Sequence, residues 1–179
     1  MEKNDMEPLI DKRILHFSGN TRSFSSLFEN KSDLDNVIAI SNKSPRDLIS
    51  CLSDIYDYQT TNDNSSIFEG DSVSKGLIKF AKRYDYLSMY PSRTGKNKDV
   101  ISMINIILRT RKIHLTILDL NTTYNQKTRW SQGKLEAMVK YKLVEEDSRL
   151  GANGEKVFTL LDPKLKHLIT RGITSLETN

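Results

Sequence analysis

Between Lys127 and Lys156 the chain gathers side chains suited to holding a polyanion. Lys127, Arg129, Lys134, Lys140 and Lys142 place five positive charges on one segment against the single Glu136. Cations at that density neutralise phosphate, and the planar fork of arginine matches a phosphate's oxygens. Thr128, Ser131 and Gln132 stand among them with hydroxyl and amide groups of the kind that hydrogen-bond base edges. Arg149 and Lys156 flank the turn at Asn153-Gly154 and offer phosphate or minor-groove contacts. Trp130 suits either a core anchor or an exposed contact. The same lysines would also serve as a solvated helix face or as a docking face for protein. Two partner classes therefore stay open: nucleic acid, with duplex DNA ahead of RNA, and another protein subunit.

Other chemistries find less material. His16, His114 and His167 lie far apart and make no metal spacing with one another or with Cys51, so neither a metal nor a cofactor is expected. No serine or cysteine stands in a nucleophile context with a matched base, and no catalytic residue is expected. The acidic run Glu145-Glu146-Asp147 reads as a solvated strand edge, and it would repel phosphate on its side of the hairpin. Cys51, beside Leu52 on an apolar helix face, reads as a buried inert thiol and suits a reducing cytoplasm. A net charge of +4 permits a polyanionic partner without demanding one. The start, MEKNDMEPLI, is too polar for a signal peptide, and no apolar run approaches a bilayer span. The expectation is a cytoplasmic protein with no membrane contact; its oligomeric state is left open.

The elements that must position the basic segment follow from caps and spacing. Thr116 suits the N-cap of a short helix carrying Ile117, Leu118 and Leu120, which ends in the polar turn Tyr124–Lys127. Thr128 is read as the cap of a second helix, whose apolar stripe is Leu135, Met138, Val139 and Leu143. A hairpin turning at Asn153-Gly154 follows. A long helix from Asp99 and a strand at His114 precede this set, and Asp162-Pro163 opens a last helix, beyond which the tail from Thr174 frays. Helix, tight turn, helix and β-hairpin is the outline of a winged helix-turn-helix domain, expected over residues 99–173. Arg93, Lys96, Lys98, Arg109, Arg111 and Lys112 form a second basic patch flanking its first helix.

Residues 1–92 read as a helical, lid-like bundle, and the broken, basic stretch 93–98 as a linker. Within the bundle, 1–43 is poorly defined. Ile10, Ile14, Leu15 and Phe17 fit a helix or a strand, and Leu34–Ile40 fits a buried strand or a helix end. Ser44-Pro45-Arg46-Asp47 is a clear helix start, followed by Leu48, Ile49, Leu52, Ile55, Tyr56 and Gln59 at helical spacing. A further helix from Asp71 or Ser72 carries Val73, Leu77, Phe80, Ala81, Tyr84 and Leu87. The fold expected is mainly α: a lid-like bundle, then a winged helix with a small β-hairpin.

The run ISNKSPRDLISCLSDIYDYQ, with VSKGLIKFAKRYDYL and the winged helix after it, resembles the C-terminal lid and winged-helix region of bacterial AAA+/STAND-type P-loop ATPases. In that family the arginine of a Ser-Pro-Arg-Asp-Leu-Ile-like helix start senses the nucleotide's phosphate. The resemblance implies the same role for Arg46, exercised only with an ATPase core. A Pro-Arg-Asp start also arises because those residues cap a helix well. The likeness stops at the motor: Gly95-Lys96 has Tyr90 where a phosphate loop's first glycine would stand and Asn97 in place of its hydroxyl, and Gly133-Lys134 has Thr128 and Leu135 at those places. The expected function is thus a non-catalytic, DNA-binding winged-helix module that is part of, or partner to, a P-loop ATPase. The alternatives are an assembly module docking on protein, and a small regulator dimerised through its N-terminal helices.

Overall fold

Apolar residues recur at three- and four-residue spacing through most of the chain, and the fold is accordingly mainly helical with one small antiparallel sheet. The computed structural model describes residues 3–62, 65–89, 97–151 and 154–176. They fall into two units, Met1–Arg83 and Tyr84–Asn179.

The first unit holds α1 (Lys3–Phe17), a 3-10 turn (Ser25–Leu27), α2 (Lys31–Ile40), α3 (Pro45–Asn62) and α4 (Gly70–Arg83). Both ambiguous apolar runs are helical. The α1 set divides, with Ile10 buried and Phe17 86% exposed. Phe24 and Phe28 pack edge to face beside the turn. At the head of α3 the Asp47 N–H donates to Ser44 Oγ at 3.2 Å, as the sequence leads one to expect. The buried face of α3 is Leu48, Cys51, Ile55 and Gln59, whereas Ile49 and Tyr56 are more than half exposed. The neighbour decides the face. Helix α4 lies so close that a Cβ on Gly76 would stand 2.6 Å from Ile55 Cα. Asp54 is buried in the same contact, accepting from Arg83 Nε at 2.6 Å with Lys79 Nζ at 3.2 Å.

The second unit runs α5 (Tyr86–Met89), α6 (Asn97–Thr110), β1 (His114–Leu115), α7 (Ile117–Tyr124), α8 (Thr128–Lys140), β2 (Val144–Leu150), β3 (Lys156–Leu160) and α9 (Pro163–Thr170). The strands pair antiparallel in the order β1-β3-β2, with His114 opposite Thr159 and Val144 opposite Leu160. Ile104, Leu108, Leu115, Leu120, Met138 and Leu165 supply much of its core.

Three expectations need correction here. Tyr84 and Leu87 are not on α4, which ends at Arg83; Tyr84 belongs to the second unit, its ring under the buried Lys164 ammonium at 4.1 Å. Residues 93–96 of the expected linker lie outside the described residues, while Asn97 and Lys98 open α6. The tail does not fray at Thr174: the Leu176 N–H donates to Asn105 Oδ1 at 2.7 Å and its side chain is buried, which ties the chain back to α6. Among the described residues no helix is long and apolar enough to cross a membrane.

Candidate nucleic-acid interface

The basic segment is held by a tight joint between α7 and α8. Thr116 and Asp119 form a reciprocal capping box that starts α7. Burial pushes the Asp119 carboxyl up, but the Lys112 ammonium and the Thr116 N–H and hydroxyl outweigh it and hold it below the usual carboxylate value. Helix α7 stops at Asn125, whose left-handed backbone (φ 48) returns its N–H to Asn121 O. Asn121 then bridges the two helices. Its Oδ1 accepts from Ser131 Oγ at 2.6 Å, and its Nδ2 donates to Thr128 Oγ1 at 3.3 Å.

Two site assignments change in consequence. Thr128 is the first residue of α8 rather than its cap; the cap position is Lys127, which makes no side-chain capping bond. Ser131 is fully buried with its hydroxyl committed to Asn121, so it is not offered to a base edge. Outward position did not follow from hydrogen-bonding capacity, because the joint itself required a hydroxyl.

The rest of the N-terminal flank of α8 is open. Lys127, Thr128, Arg129 and Gln132 are exposed, and among the described residues neither Lys127 nor Arg129 has an acidic partner within 4.0 Å. Gln132 Nε2 donates to Glu136 Oε1 at 3.1 Å along the helix, in an exposed contact. Lys134 lies on the adjoining flank with its ammonium 5.7 Å from the half-buried Trp130 ring. That ring packs on Tyr124 at 5.4 Å, so the tryptophan anchors the start of α8 while keeping one edge wet. Burial pushes the Tyr124 hydroxyl up, opposed by the nearby Arg109 guanidinium, which brings one residue of the second basic patch beside the end of α7.

The hairpin contributes less positive charge than the residue types suggest. Lys156 is exposed on β3, but its ammonium lies 2.9 Å from Glu146 on the edge strand β2. Arg149 is on β2; its side chain, like Asn153, lies outside the described residues. The acidic run is a largely solvated strand edge, as its sequence indicates. On the same sheet His114 Nδ1 stands 2.9 Å from Thr159 Oγ1, and that hydroxyl donates to Asp147 Oδ2 at 3.1 Å, so His114 is a satisfied structural residue. Arg46 is exposed in the first turn of α3, in the other unit. Cys51 is buried, and among the described residues no three His, Cys, Asp or Glu side chains converge as metal ligands.

Asn121 is not among the residues that the sequence marks out, yet it joins the two helices. An asparagine within a short helix is a signal of sorts, since its side chain competes with the helix backbone unless it has another partner. Comparison with protein-family models, with curated proteins and with solved structures finds no match to this chain. The likeness to P-loop ATPases therefore rests on the residues quoted above.

Proposed function

We propose that the Tyr84–Asn179 unit is a winged helix-turn-helix module that binds nucleic acid, duplex DNA in particular, without catalysis of its own. One observation carries the reading: the open cationic start of α8, where Lys127 and Arg129 stand exposed with no acidic partner among the described residues, beyond the Asn121-locked joint. The uncapped first turn adds free backbone N–H groups to those charges, and such an end favours phosphate. Lys127, Arg129 and Lys134 neutralise phosphates, with Arg149 added from the hairpin; Thr128 and Gln132 face base edges. Lys156, countered by Glu146, takes a minor part. The element order α6-β1-α7-α8-β2-β3 supports the winged-helix assignment.

Fluorescence anisotropy with a labelled duplex tests this. Four neutralised phosphates give a slope of about −3.6 for log affinity against log salt, and Arg129→Ala reduces its magnitude by about one. No binding of the full chain at low salt rejects the proposal. In the same reading the chain works in the cytoplasm with a P-loop ATPase core, to which Arg46, exposed at the start of α3, offers a phosphate-sensing cation. Copurification with such a core, unaffected by nuclease, supports that part. Copurification without any DNA affinity turns the assignment to protein docking.

A further inference from the structure

Two glycines lie well inside helices of the described chain, and their surroundings are opposite. An interior glycine weakens a helix relative to alanine, because more backbone freedom is lost on ordering. At Gly76 the packing explains it, since a Cβ would meet the Ile55 backbone at 2.6 Å. At Gly133 a Cβ would meet nothing within 4 Å, and φ is not in the left-handed region. Nothing in the fold calls for a bare Cα there.

Gly133 sits in the middle of the outward face of α8. Arg129 is one turn before it, Glu136 one turn after it and Gln132 beside it, all exposed. We infer that Gly133 is where the backbone of α8 meets the bound duplex, its missing side chain letting the helix seat in the groove; this rests on the DNA-binding reading above. Dimensions favour it. A helix with its side chains is about 10–12 Å across and the major groove about 12 Å wide, so a helix fills the groove and each methyl on the inserted side counts. A partner read only through long cationic side chains would have no use for the gap.

The test is a graded series in the full chain, Gly133→Ala and Gly133→Leu, beside Arg129→Ala, with thermal melts and anisotropy on one duplex. Gly133→Ala should raise the melting temperature by about 2–5 °C, because alanine is the better helix former and the site is open. It should also weaken duplex affinity about tenfold, with Gly133→Leu weaker still, and leave the salt slope unchanged since no charge is altered. Opposite signs in stability and affinity support the inference. Unchanged affinity in the glycine variants, beside weakened binding in Arg129→Ala, overturns it while leaving the DNA-binding reading intact. A lowered melting temperature for Gly133→Ala overturns it too, by showing that the fold itself needs the glycine. Failure of the unsubstituted chain to bind duplex at low salt overturns both.

Discussion

His167 makes the second unit acid-sensitive in a calculable way. Burial, with the Arg171 guanidinium adding to it, lowers its imidazole from 6.5 to about 4, and its Nε2 is enclosed without a hydrogen-bond partner among the described residues. The native state thus holds the ring neutral, while the unfolded chain takes up a proton as pH falls through 6.5. The stabilisation is complete above that value and is lost progressively on the way down to about 4. At about 1.4 kcal/mol per pH unit, the full displacement amounts to about 3 kcal/mol for a wholly desolvated ring. The ring is only partly buried, so screening reduces the loss between pH 7 and pH 4.5 to roughly 1–2 kcal/mol. The assay is urea unfolding followed by the fluorescence of Trp130, the one tryptophan, which reports on this unit. The stability of the unsubstituted protein minus that of His167→Phe should fall by that amount over the acid range, the carboxylates cancelling in the difference. A difference independent of pH would refute the reasoning, because the ring would then be equally at ease in both protonation states.

Gly76→Ala should lower the melting temperature of the first unit, followed by helical circular dichroism. The loss should be about 1–3 kcal/mol, even though helix propensity alone favours alanine; an unchanged melt would show that α3 and α4 can separate without penalty. Leu176→Ala should destabilise the second unit by about 2 kcal/mol, the low end for a buried leucine because a chain end can collapse into the gap. The same tryptophan signal reads it, and no change would mean that the tail is not docked.

What the sequence determined by itself was local. Ser44, Thr116 and Asp162 cap their helices because each accepts from an N–H within three residues, a partnership present wherever the chain turns helical. The order of helices and strands from α6 onward was legible from caps, spacing and the Asn-Gly turn, as was the solvated acidic edge, whereas the short α5 was not, since Leu87 reads as a continuation of the α4 stripe. The turn out of α8 was harder to read, since Lys142 takes a left-handed backbone (φ 57) that usually announces itself as glycine. Which face of a helix is buried was not local. Leu48 and Ile55 lie inside and Ile49 and Tyr56 outside because α4 approaches from one side, guided by a glycine and a buried carboxylate. The binding flank divided on the same principle: Ser131 went to a joint with Asn121, ten residues earlier, and Lys156 to Glu146 across the hairpin. A side chain's type states what bonds it can make. Only the tertiary structure decides which are already made, because the partners are brought together from distant parts of the chain by packing that no short window of sequence contains.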